Sequence, residues 1–224
     1  MRAWLPLLFF LPAAAPAPPR CSCATASRAE LLLCGSVLRV RPASSSRCPR
    51  AVSLPDTPRP ARLWVRTTAP TLPSGLLTGW SALKWLSLAG GRVSRLQPDL
   101  LSPCPALVRL NLSRNLLTDL PVELLIPVPS LRYLDLSHNL LSWLPPSLLA
   151  ASPALASLNL AHNRLTQLEL GAMHHTRSPL TRLDASHNLL TTVSLATEIG
   201  VVFPNLARID LSHSESLHKC DQKD

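Results

Sequence analysis

An aspartate, a serine and a histidine recur together along this chain, at Asp135, Ser137 and His138, at Asp184, Ser186 and His187, and at Asp210, Ser212 and His213. These are the residue types of a nucleophilic triad, in which a carboxylate orients an imidazole that takes the hydroxyl proton. A triad is one site with one orienting partner and an oxyanion hole, whereas the same set on successive segments describes a ladder. The repetition therefore argues against an enzyme, and no cofactor is expected. Imidazoles also recur by themselves, at His138, His162, His187 and His213. Closely spaced imidazoles resist joint protonation, and a pH switch built on them would make partner affinity differ several-fold between about pH 7.4 and about pH 5.5, but Ser-His-Asn is also a frequent filler in repeats of this kind. Metal chemistry has little support. His174 and His175 lack further clustered ligands. Cys21, Cys23, Cys34 and Cys48 follow a C-x-C spacing with gaps of ten and thirteen residues, which suits tetrahedral zinc poorly.

The ladder belongs to a repeat. LVRLNLSRNLLTDLP from Leu107 returns as LRYLDLSHNLLSWLP from Leu131, LASLNLAHNRLTQLE from Leu155 and LTRLDASHNLLTTVS from Leu180. A weaker copy starts at Leu83 and a broken one at Leu206, and the start-to-start spacings are 24, 24, 24, 25 and 26 residues. One copy is too small to bury its own leucines, so neighbours must stack and share a core. In the second copy Leu107, Leu110, Leu112, Leu117 and Leu120 are predicted to point inward, with Asn115, Asn139, Asn163 and Asn188 bonding the backbone of adjacent coils where the chain turns. Short parallel strands are expected on the concave side, and proline at Pro121, Pro127 and Pro129 predicts a mostly irregular or 3₁₀ convex side.

Stacked strands turn sequence columns into surface ladders. One column runs Trp85, Arg109, Tyr133, Ser157, Arg182, Arg208 and another runs Ser87, Asn111, Asp135, Asn159, Asp184, Asp210. Serines from Ser113 and the histidine column headed by Arg114 are expected beside them on the same face. Arginine and aromatic anchors dominate protein interfaces. The candidate partner-binding residues are accordingly Arg109, Arg132, Tyr133, Asp135, His138, Asn159, His162, Arg182, Asp184 and His187. Asn111-Leu112-Ser113 is a glycosylation sequon, and a glycan on Asn111 would push a partner toward later coils.

The ends define the rest. A single Arg followed by an apolar run from Ala3 to about Leu11 and then small residues marks a secretory signal peptide, residues 1–17. No later stretch is apolar enough to span a membrane. The expected organisation continues with a cysteine-containing cap at 18–59, repeats at 60–213 and an off-pattern polar tail at 214–224. A solenoid exposes its first coil, and a disulfide cap from Cys21, Cys23, Cys34 and Cys48 would cover it, in any of three connectivities. Cys104 is predicted to be a small buried apolar residue, and Cys220 to be unpaired. The sixth copy gives Ser214 where Asn is wanted and no C-terminal cap follows, so a shortened form is expected. The net charge is +9, and residues 1–82 hold ten arginines against Glu30 and Asp56. Arg39, Arg41, Arg47 and Arg50 are candidate contacts for sulfated glycosaminoglycans. A secreted chain without aromatics interleaved among its basic residues points away from nucleic acid.

The motif L-x-x-L-x-L-x-x-N-x-L is the signature of a leucine-rich repeat. The C-x-C cap, the 24-residue coils and phrases such as LDLSHNLLSWLP resemble secreted proteins of the small leucine-rich proteoglycan type. SPALASLNLAHNRLTQLELGAMHHTRSPLTRLDASHNLL is similar to the Tsukushi-like group within that type, and the likeness covers roughly residues 20–213. The resemblance implies an α/β-type leucine-rich repeat solenoid with a disulfide N-terminal cap. It also implies a secreted modulator that binds growth factors and signalling components, including bone morphogenetic protein and Wnt–Frizzled. Two departures stand out: the family cap carries another cysteine upstream of C-x-C, and the family continues through further coils. The sequence thus predicts a secreted, non-catalytic binder of a growth factor, morphogen or receptor. Its alternatives are a matrix protein held by glycosaminoglycan or collagen, and an innate-immune recognition module.

Overall fold

Leucine spacing sets the coil. Leu107, Leu110, Leu112 and Leu117 are each at most 2% exposed, and their equivalents from Leu83 to Leu190 join one continuous core. Removing that much aliphatic surface from water is the main stabilising term, at about 25 cal/mol per Å² buried. The computed structural model describes residues 30–34, 37–41, 61–67, 69–72, 75–170, 178–194 and 203–214.

Two N-terminal strands, β1 (Glu30–Cys34) and β2 (Val37–Arg41), form an antiparallel hairpin, and β1 lies parallel to β3 (Arg62–Arg66). From β3 the sheet advances in parallel register through β4 (Trp85–Ser87), β5 (Arg109–Asn111), β6 (Tyr133–Asp135) and β7 (Ser157–Asn159). A convex-side strand, β8 (Gln167–Glu169), comes next in the chain; the concave sheet resumes with β9 (Arg182–Asp184) and closes with β11 (Arg208–Asp210). The hairpin places the segment before the repeats against the first coil. Cys21, Cys23, Cys48 and Cys220, the Cys34 side chain, the expected signal peptide and the polar tail after Ser214 lie outside the described residues.

The convex side departs from the expectation at two places. Pro145 and Pro146 open a short α-helix, α1 (Pro146–Ala150), instead of blocking one. Proline fits the first helical position, where no N–H bond is needed, and Leu148 and Leu149 are buried beneath it. Further on, β8 pairs in parallel with β10 (Thr192–Ser194) in a separate two-stranded sheet. The preceding coils carry Pro121 and Pro145 at this point, which have no N–H to donate; Glu169 and Ser194 restore it.

The asparagine column fastens coil to coil. Asn139 Nδ2 donates to Leu112 O (3.1 Å), Leu136 O (2.9 Å) and Ser137 O (3.3 Å), and its Oδ1 accepts from Leu117 N (3.2 Å). Asn115, Asn163 and Asn188 repeat the pattern. The first copy has Gly91 here, because a Cβ would stand 2.8 Å from both Asn115 Oδ1 and the Thr67 carbonyl. The last described copy has Ser214, whose buried hydroxyl finds no partner among the described residues. Ser214→Asn would let an amide reach the Ala185, Leu211 and Ser212 carbonyls and accept from Leu190 N, as Asn188 does one coil earlier. This substitution is expected to stabilise the chain by about 1–2 kcal/mol, read from the urea midpoint; an unchanged midpoint would mean the last coil is not fastened this way.

Cys104 is fully buried, and removal from water pushes its thiol up to about 11. The thiolate is the reactive form. Cys104 should therefore resist iodoacetamide at neutral pH in the folded chain and react once urea unfolds it, as peptide mass mapping would show.

Candidate functional site

Strand alternation gives the concave face two side-chain columns. Leu86, Leu110, Leu134, Leu158 and Leu183 point into the core, while the residues on either side of each point out. The first outward column begins with Arg62, Trp85, Arg109 and Tyr133, an alternation of guanidinium and aromatic ring. Arg62 Cζ lies 5.1 Å from the Trp85 ring centre, and Arg109 Cζ lies 5.9 Å from Trp85 and 4.2 Å from Tyr133. Trp64 of the second column packs against Trp85 at 5.2 Å and 58°. Stacking of this kind holds long side chains in fixed positions at a worth of about 0.5–2 kcal/mol per cation–π contact.

Beyond Tyr133 the column drops to Ser157 and then rises to Arg182. The small residue leaves a shallow depression of about 320 Å³, walled by Tyr133 and Arg182, with Asn111, Asp135, Asn159 and Asp184 around it. The structure thus brings together Arg109, Tyr133, Asp135, Asn159, Arg182 and Asp184 among the expected contacts. Arg132 is exposed but precedes its strand. Arg39 and Arg41 fall on β2, and Arg47 and Arg50 lie outside the described residues. Arg62, Trp64 and Trp85 were not among the predicted contacts, although the alternation in Arg62-Leu63-Trp64-Val65-Arg66 carries the signal.

The aspartates are not triad members. Ser137 N and Oγ both donate to Asp135 Oδ1, at 3.0 and 2.7 Å, and Ser186 and Ser212 do the same to Asp184 and Asp210. The serine proton is committed to the carboxylate, so these bonds cap a turn rather than activate a nucleophile. Asp210 is held below its ordinary carboxylate value by the Ser212 hydroxyl and N–H, with Arg208 adding attraction at 3.8 Å.

That turn also relocates two expected columns. Ser113, Ser137, Ala161 and Ser186 are buried, each at most 8% exposed. His138, His162, His187 and His213 stand beyond the strands in left-handed backbone, φ 54–59°, as does Arg114 at 56°. They therefore form a row just past the C-terminal ends of the strands rather than on them. Gly90, φ 71°, holds the same place in the first copy. Successive imidazoles stack at 4.2 Å and within 9° of parallel. Loss of water between its neighbours lowers the His187 value, flanking His162 and His213 lower it further, and Asp210 and Asp184 oppose them. A base weakened by folding loses stability as pH falls through its unfolded value, about 6.5. Melting temperature is thus expected to fall between about pH 7.5 and about pH 5, with His187→Asn flattening part of that slope in a fluorimetric melt. Equal slopes for both chains would contradict this.

Among the described residues no group of three or more potential ligands could hold a metal, and no helix is long and apolar enough to cross a membrane. The fold and its outward ladders define a parallel-strand repeat scaffold of the protein-interaction kind. The leucine rich repeat family profile matches residues 81–141 and 129–190, and the chain is a leucine-rich repeat protein. It is similar to Drosophila Toll in its complex with Spatzle, at 33% identity and a TM-score of 0.57 over 64% of this chain and 20% of that one. The fold also matches APL1B (24% identity, TM-score 0.54, 68% and 48% covered) and TLR13 in its complex with ssRNA13 (22%, 0.57, 68% and 21%). The matched region spans about a fifth of the Toll chain. No curated protein sequence matches significantly.

Proposed function

We propose that the chain is a secreted, non-catalytic binder that captures an extracellular protein, a growth factor, morphogen or receptor, on its concave face. The observation that carries this reading is the Arg62–Trp85–Arg109–Tyr133 stack running into the depression at Ser157. Rigid aromatic and arginine anchors beside a polar hollow are what protein interfaces concentrate their energy on. Toll, similar over part of its length, is seen in a complex with a protein, Spatzle. The signal peptide and the Tsukushi-like phrasing support secretion and morphogen signalling. Asn111 is the proposed glycan acceptor; it sits at the depression's rim, so a glycan there would leave Tyr133 to Asp184 as the open part.

The test is a surface-binding panel of bone morphogenetic protein, Wnt and Frizzled ectodomain against the wild-type chain and Ser157→Trp, which fills the hollow. One member should bind the wild type and lose most of its affinity for the variant. Equal binding to both chains would overturn the concave-face reading. Binding by none would overturn the signalling partner.

A further inference from the structure

The histidine row runs beside the concave site, with Asp184 between the two. Its backbone is pinned, since His138 N donates to Ala161 O, His162 N to Ser186 O and His187 N to Ser212 O, each at 2.9 Å. All four rings are exposed and equally spaced. Arg114 heads the column, in the same left-handed backbone. The charged groups beside it are Asp135, Asp184 and Asp210 on the strands that precede His138, His187 and His213, with Asn159 neutral before His162, and Arg208 against Asp210. At neutral pH the carboxylates offset Arg114, and the row presents little positive charge. Acidification adds positive charge along the row, held back by repulsion between neighbouring rings until an anion lies against them.

We propose that the ladder from Arg114 through His213 is a binding edge for a linear sulfated polysaccharide, engaged when the surroundings acidify. An open row without a cleft suits a flexible chain that lays regularly spaced anions along it. Sulfate esters remain ionised as pH falls, whereas partner carboxylates begin to be neutralised, so acid strengthens this pairing and weakens a carboxylate-based one. Bound sulfates relieve repulsion between adjacent imidazolium rings, so ligand and proton uptake favour one another. This contact is separate from the cap arginines and does not depend on the concave-face reading.

Heparin is the probe. Affinity of the wild-type chain should rise by about tenfold or more from about pH 7.4 to about pH 5.5, through added charge. His162→Asn/His187→Asn keeps residues that tolerate left-handed backbone and removes two central charges; most of the rise should vanish. Arg39→Ala/Arg41→Ala/Arg47→Ala/Arg50→Ala should weaken binding at both pH values and leave the rise intact. An undiminished rise in the histidine variant would overturn the proposal. A second readout uses the wild-type chain alone: heparin at the lower pH should shift the ring resonances of His162 and His187 and raise their titration midpoints, and unmoved resonances would overturn it too.

Discussion

Asn139→Ala is expected to cost about 3–5 kcal/mol, because buried polar groups stripped of partners cost about 1–3 kcal/mol each. The amide of Asn139 serves four backbone groups on two coils, those of Leu112, Leu117, Leu136 and Ser137. The side chain is 5% exposed, so water does not readily replace it. Asn139→Asp should be no better, since a carboxylate accepts from Leu117 N but cannot donate to three carbonyls. Each coil contacts only its neighbours, so a fault in the middle divides the array. Urea unfolding followed by circular dichroism should show an early transition or loss of the folded baseline. Leu140→Ala, half-buried in the adjacent position, serves as the control, with a cost below about 1.5 kcal/mol.

Arg109→Ala/Tyr133→Ala is the corresponding test of function. Partner affinity should fall by about 30- to 1,000-fold, the range of about 2–4 kcal/mol that central anchors carry. The two side chains stack at 4.2 Å, so the single variants should not add: losing Tyr133 frees the guanidinium, and losing Arg109 uncovers the ring. Stability should change by less than about 1 kcal/mol, because both residues are exposed. A large loss of affinity with an unchanged melt separates recognition from folding.

The inward leucines and the asparagine column were legible because each recurs at a fixed spacing and each has one physical job. What escaped the sequence was where alternation stops. Asp135-Leu136-Ser137-His138 reads as a continuing strand, yet the carboxylate bonds Ser137 and turns the chain, sending His138 into left-handed backbone. Gly90, in the same place one copy before Arg114, was the clue, since glycine commonly marks that conformation. The β3 coil lies within the stretch expected to hold repeats, 60–213, although it has no asparagine, only the Leu63 and Val65 alternation. The β8–β10 pair was hidden because it depends on what two coils lack, a proline, rather than on a motif. Among the contacts, the arginines and Tyr133 followed from the column, but the hollow at Ser157 did not. A gap arises from two taller neighbours and is invisible in one strand.

The most direct test is to place a photoreactive residue at position 157, in the concave hollow, or at position 147, on the convex helix, and to measure which one captures the binding partner. Capture is expected from position 157, suppressed by excess unlabelled wild-type chain, and none from position 147. Capture from position 147 with none from position 157 would contradict the claim that this scaffold works through its concave face.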